Sequence, residues 1–195
     1  AVGALHERHA ERIRAALRTS RVAAGLGIEV HAGRTRALIH EAAAAIACSG
    51  SVSLELLAAR VPTVIVYRIG GLAYVVQSWF RHARFITLVN LLACRDPVGP
   101  VRPVLRPPHD VPAADPEAVY PEYLAVADPA ERAAGHVVEW LTDPAARRRV
   151  DGRIEAVAAA VVHGGSAARA AAAVLEIARP RAAATAARRA GRRAA

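Results

Sequence analysis

The sequence predicts an α/β fold built on a parallel sheet, and three stretches carry that expectation. An apolar run, Ala44 to Cys48, stops abruptly at Ser49-Gly50-Ser51. A helix-like stretch follows from Val52 to Ala59 and is broken at Pro62. A β-branched run, Thr63 to Tyr67, comes next. Strand, small-residue turn, helix and strand make one βαβ unit, whose two strands must be parallel.

The turn of that unit has chemistry of its own. At the carboxyl end of a parallel strand, the first N–H groups of a helix lack intrahelical partners, and the helix dipole favours an anion there. Gly50 allows close backbone approach, and Ser49 or Ser51 can act as N-cap. Glu55 lies about one turn into the helix, where a carboxylate can accept hydrogen bonds from ribose hydroxyls. The same residues also read as ordinary capping and a solvated acid. The turn alone leaves both readings open.

Composition narrows the classes. The chain has 195 residues, enough for one sizeable core. Aromatic residues make up only 4%, so that core is built from Val, Leu, Ile and Ala. All 26 basic residues are Arg, and the net charge is +9. Such a charge points toward nucleic acid at first sight, but its placement argues against it. The segment from Arg179 to Ala195 holds six Arg and no acid, and the rest of the chain is close to balanced, at 20 basic against 17 acidic residues. No uninterrupted apolar run reaches membrane-spanning length, and no signal-peptide pattern opens the chain. Cys48 and Cys94 lack metal-type spacing and are too few for a disulfide framework, which fits a reducing compartment.

The remaining elements follow in order. Leu5 to Leu17 reads as an amphipathic helix, with His6 and His9 as solvated residues. Ile28 to His31 alternates as a short strand, and Thr35 can cap a helix from Arg36 to about Ala43. After the βαβ unit, Leu72 to His82 is an unusually apolar and aromatic helix, read from its residues as packed core ahead of an exposed lipid-facing surface. Phe85 to Leu88 reads as a strand, and Asn90 to Arg95 as a loop at its carboxyl end, the edge where open parallel sheets bind ligands. Residues 97–121 are proline-rich and read as a long surface insertion. Asp128-Pro129 and Asp143-Pro144 each open a helix, because Pro suits the first helical position and Asp the cap. Ser166 opens a last helix to about Ala178. Residues 179–195 are an Arg/Ala-rich tail, expected to be disordered or to lie as a basic helix on an anionic surface.

Three motifs in this order, Ser49 to Glu55, Tyr67-Arg68 and Thr87 to Asp96, followed by Pro121-Glu122-Tyr123-Leu124, resemble the carboxyl-terminal half of the lipid-A-disaccharide synthase family. The resemblance covers residues 5 to 178. Val89, Cys94 and Asp96 stand where the family carries proline, glycine and glutamate. The resemblance implies a Rossmann-like parallel sheet flanked by helices, the carboxyl-terminal domain of a GT-B glycosyltransferase, incomplete on its amino-terminal side. It occupies residues 1–178, with 97–121 as the insertion. It also implies an inverting transfer from UDP-2,3-diacylglucosamine to 2,3-diacylglucosamine 1-phosphate, with release of UDP and no cofactor or metal.

By the same resemblance Ser49, Gly50 and Ser51 line the diphosphate, Glu55 holds the ribose, Tyr67 and Arg68 belong to the donor site, and Asn90 and Arg95 are the catalytic pair at the interdomain cleft. The implied partners are the UDP-diacylglucosamine donor, a lipid acceptor, a missing amino-terminal domain, further copies of the chain and a membrane surface. The implied location is cytoplasmic, peripheral at the inner membrane, with no nucleic acid. The apolar helix from Leu72 would then lean toward acyl chains. Because acceptor-side groups belong to the other GT-B domain, the chain alone is expected to be inactive. Other readings are another UDP-sugar enzyme of this fold, such as a lipid II-type transferase or a UDP-sugar 2-epimerase, and a non-enzymatic basic module binding through its tail.

Overall fold

The computed structural model describes residues 1–48 and 50–178. The chain divides into two compact units, Ala1–Ala159 and a second that begins at Ala160. The first unit runs β1 (Val2–Ala4), α1 (Glu7–Thr19), β2 (Val30–Ala32), α2 (Thr35–Glu41), β3 (Ala45–Cys48), α3 (Val52–Ala58), β4 (Thr63–Arg68), α4 (Gly71–Ser78), α5 (Leu88–Ala93), β5 (Glu122–Ala125) and α6 (Ala130–Thr142). Helix α7 (Pro144–Val161) follows, and residues 166–178 are helical in the second unit. The expectation for the tail falls on residues 179–195, which lie outside the described residues.

Strand pairing is parallel throughout. β1 and β2 form a two-stranded sheet, and β3, β4 and β5 form a three-stranded sheet with β4 in the centre. Register places Ala45 opposite Thr63, Cys48 opposite Val66, Ile65 opposite Glu122 and Arg68 opposite Ala125. Helices separate successive strands, so the architecture is a Rossmann-like α/β layer arrangement.

The central strand explains its own position. Thr63, Val64 and Ile65 have no exposed surface, as expected for a β-branched run covered on both faces. Below it Ile39, Leu56 and Val61 cluster with Ala42, Ala45, Ala47, Val52 and Ala59, so alanines bring the α2–α3 layer close to the sheet. The Asp143-Pro144 start forms as the residue types dictate, with Pro144 the first residue of α7, whereas α6 begins one residue later than expected, at Ala130 with Pro129 in the cap position. Asp128 Oδ1 accepts from Ala130 N at 3.0 Å, and Asp143 Oδ1 accepts from Ala145 N at 2.7 Å. The Asp143 carboxyl is held below its ordinary range by the backbone N–H groups of Ala145 and Ala146.

Several expectations are corrected. Phe85 to Leu88 is not a strand, because Thr87 instead caps α5, its hydroxyl accepting from Asn90 N at 3.4 Å. The expected loop from Asn90 to Arg95 is therefore largely helix α5. Ser51 heads α3 without a side-chain cap bond. Thr35 is the first residue of α2 and not its cap. The expected helix from Leu72 to His82 ends at Ser78, and it is not packed core: Leu72 and Val76 on α4, and Trp79 and Phe80 just beyond it, all expose half or more of their surface. Strands β1 and β5 were not anticipated. By length and composition Pro144–Ala178 passes as a membrane-crossing helix. Only 6% of the apolar window in that stretch is buried, helical structure is interrupted at residues 162–165, and Ala146, Val150, Ile154 and Ala158 form the buried stripe of α7 before that break.

Helix α6 is tied to β5 by one polar contact. The Tyr123 hydroxyl lies 2.8 Å from His136 Nε2, and the His136 ring stacks on Trp140 at 5.9 Å. Burial pushes the His136 pKa below its ordinary 6.5, with Glu139 opposing weakly. Between that ordinary value and the lowered one, the unfolded chain binds a proton that the folded chain refuses. Stability from this site is full at higher pH and falls as pH drops through that window. The melting temperature should therefore drop from about pH 7.5 to about pH 5.5, and more for the natural chain than for His136→Gln. Parallel profiles for the two would remove His136 as a source of the slope.

Candidate functional site

The carboxyl edge of the three-stranded sheet brings the turn after β3 and the end of β4 together. Gly50 has φ of 154° with nothing within 4 Å of where a Cβ would stand. A side chain there is opposed by backbone geometry, while the space beside it is open. The turn is drawn tight by its own residues: Ser53 N donates to Gly50 O at 3.2 Å, Ser53 Oγ donates to the same oxygen at 2.8 Å, and Leu54 N donates to Ser51 O at 3.0 Å. Ser53 is buried, so this small polar residue fixes the turn from inside. It is a turn residue that the sequence reading missed, and its spacing three after Gly50 was the available signal.

Ser51 and Glu55 are exposed on α3, with Glu55 in its first turn. Tyr67 and Arg68 are exposed at the last two positions of β4, one strand over from Cys48. Gly50, Ser51, Tyr67 and Arg68 therefore share one edge of the sheet. Ser49 lies outside the described residues. Such an edge, with small residues at a helix start and a basic side chain alongside, suits a phosphate-bearing ligand. Among the described residues no cluster of three or more His, Cys, Asp or Glu side chains is placed to hold a metal ion.

Asn90 is placed elsewhere. It is 1% exposed, and its amide is fully engaged at the opposite, amino-terminal end of β5. Nδ2 donates to Tyr120 O at 2.8 Å and to Glu122 Oε2 at 2.9 Å, and Oδ1 accepts from Tyr120 N at 3.0 Å. Glu122 also accepts from Ile86 N at 2.5 Å, Thr87 N at 3.1 Å and Thr87 Oγ1 at 2.9 Å. Tyr120 is wholly buried, donates its hydroxyl to Val61 O at 3.1 Å, and has its pKa driven up by burial. Buried Asn90, Thr87 and Tyr120 and the partly buried Glu122 thus form one network that locks α5 to the start of β5. Glu122, Thr87 and Tyr120 were missed as members of it. Arg95 is exposed just beyond α5 and takes no part in that network.

A parallel sheet flanked by helices, with a glycine turn and an arginine at its carboxyl edge, is the Rossmann-like arrangement of a GT-B glycosyltransferase's carboxyl-terminal domain. Within that class, residues 5–99 match the family model described as lipid-A-disaccharide synthetase. The match includes every sequence-predicted site residue and stops before Glu122.

Curated relatives point the same way. The chain is 46% identical over 52 residues to the lipid-A-disaccharide synthase of Rhodospirillum centenum, covering 27% of this chain and 13% of that protein. It is 34% identical over 106 residues to that of Paramagnetospirillum magneticum, covering 53% and 22%. It is 30% identical over 71 residues to that of Psychromonas ingrahamii, covering 36% and 19%. The chain thus spans about a fifth or less of the length of these relatives. No solved structure matches it.

The buried network yields a stability prediction. Asn90→Ala strands the Tyr120 backbone groups and one Glu122 oxygen without their partner, at a cost of roughly 3 kcal/mol. Urea unfolding should show a lower midpoint with an unchanged slope. A midpoint within error of the natural chain's would mean that Asn90 is not a structural clamp.

Proposed function

We propose that this chain supplies the UDP-sugar-binding face of a lipid A disaccharide synthase. The observation that carries the reading is the open Gly50 turn at the carboxyl end of β3, lying inside the family-matched stretch. In this reading the donor's diphosphate sits against the backbone at Gly50 and Ser51, with Ser49 completing the turn. Glu55, in the first turn of α3, receives the ribose hydroxyls. Arg68 approaches the diphosphate from β4, and Tyr67 beside it flanks the nucleotide.

The chemistry asked of these groups is leaving-group stabilisation. When the acceptor hydroxyl displaces UDP from the sugar's anomeric carbon, the C–O bond electrons go to the β-phosphate. Backbone N–H groups and a guanidinium aimed there gain strength as that charge develops. The donor is UDP-2,3-diacylglucosamine and the acceptor 2,3-diacylglucosamine 1-phosphate. Arg95, exposed beyond α5, is the residue left to meet sugar or phosphate. Asn90 acts by fixing the start of α5.

Calorimetric titration of the chain with UDP tests this. Binding is expected, weakened roughly tenfold by Glu55→Ala through loss of the ribose hydrogen bonds. Gly50→Val should weaken it further by closing the turn. Binding that neither substitution alters would place UDP elsewhere, and absence of binding by the folded chain would overturn the reading.

A further inference from the structure

A cavity of about 280 Å³ lies between the end of the proline-rich segment, α6 and the first half of α7. Its floor is apolar: Ala118, Val119, Trp140, Ala146 and Val150 line it, and each exposes less than a tenth of its surface. Its rim is basic. Arg149 and Arg153 stand one helical turn apart on α7, and both are exposed. All of these residues lie beyond the family-matched stretch, which ends at residue 99. The cavity also sits beside Pro121, just before β5 begins, and so away from the Gly50 turn at the carboxyl edge of the sheet.

The charges around it are unequally committed. Asp115 is occupied, its Oδ2 accepting from Arg84 at 2.9 Å and its Oδ1 from Glu117 N at 2.9 Å. Arg149 is held loosely between two carboxylates, 3.8 Å from Glu139 and 4.0 Å from Asp143. Arg153 forms no ion pair among the described residues, and its Nη2 donates to Glu117 O at 2.7 Å. That bond to a carbonyl fixes the guanidinium at the mouth of the cavity without neutralising it. Its other N–H groups remain for a ligand.

An apolar floor beneath one uncompensated cation suits a ligand with an apolar body and a single negative charge. The volume falls just under the roughly 300–1,000 Å³ of sites for drug-sized ligands, which leaves room for one ring. Trp140, Pro116 and Pro121 give the cavity flat walls, and a planar ring packs well against them. Glu139 on the rim opposes a second negative charge, so a carboxylate fits better than a phosphate dianion. We propose that this cavity binds a small aromatic carboxylate, its ring seated against Trp140, Val119 and Val150 and its carboxylate paired with Arg153. The buried polar groups at the start of β5 take no part, since they are already paired with one another. The inference is independent of the nucleotide reading.

Titration of the full chain with benzoate tests it. In Trp79→Phe the remaining tryptophan is Trp140, whose emission reports on the cavity. Benzoate should change that emission saturably, with a Kd of about 1 mM for so small a ligand. Benzyl alcohol, a similar ring without the charge, should bind about tenfold more weakly, and phenyl phosphate no more tightly than benzoate. Arg153→Gln should weaken benzoate binding about tenfold and erase its advantage over benzyl alcohol. Arg148→Gln removes the same charge from an exposed position on α7 outside the cavity lining, and should change binding less than about twofold. No saturable change with benzoate up to about 20 mM would overturn the proposal. Equal losses from Arg148→Gln and Arg153→Gln would reduce the effect to general basicity and overturn it as well. So would benzyl alcohol binding as tightly as benzoate, or phenyl phosphate binding more tightly.

Discussion

Four hydrogen-bond donors converge on the Glu122 carboxylate, and the rest of the sheet depends on that convergence. Glu122 is partly buried, and a polar group drawn out of water needs partners, so the site is most stable when the start of α5 and the start of β5 are both in place. Thr87 shows the economy of the arrangement. Its hydroxyl donates to Glu122 and accepts from Asn90 N, so one side chain caps the helix and anchors it. The Asn90 amide then reaches the Tyr120 backbone on both sides, much as a neighbouring strand would.

That clamp also explains how a long irregular segment is tolerated. Residues 86–90 and 120–122 are joined by hydrogen bonds, so the stretch between them leaves and returns at one fixed point. The entropy of closing such a loop grows only slowly with its length. Prolines lower it further by restricting the unfolded chain, and they leave no row of free N–H groups to pair with another strand. The segment is then pinned at intervals, by Val104 on Ser78 and Trp79, by Pro107 against Gly71, and by Asp115 and Glu117 on Arg84.

The legible parts of the sequence were those in which a residue acts on its immediate neighbours. Asp143 before Pro144 announced a helix because the carboxylate bonds N–H groups two and three residues on, an interaction that needs no tertiary contact. The β3–α3–β4 unit was legible because a β-branched run, a glycine turn and an apolar helix agree with one another. What failed depended on distant partners. Phe85 to Leu88 has strand composition, but Glu122, more than thirty residues away, captures the N–H groups of Ile86 and Thr87. Strand β5 was hidden for the same reason, since Pro121 and Glu122 argue against a strand until the clamp is known. The candidate site divides likewise. Gly50, Ser51, Tyr67 and Arg68 are placed by local chain geometry and share an edge, whereas Asn90 was assigned to a loop by a strand that does not form.

The sheet therefore has two ends with different physical roles. At the amino end of β5, buried polar groups are completely paired, leaving none to meet a ligand. At the carboxyl end, the turn after β3 is braced from beneath by Ser53 while Ser51, Glu55, Tyr67 and Arg68 remain exposed. Rigidity supplied at one end and open polar groups at the other is the arrangement that lets a backbone turn hold an anion without reorganising. Helix α4 adds a third condition. It begins at Gly71, three residues after Arg68 closes β4, so the exposed apolar face is tied by a short linker to the same sheet edge. Exposed polar groups and an exposed apolar face are thereby set side by side within one βα connection.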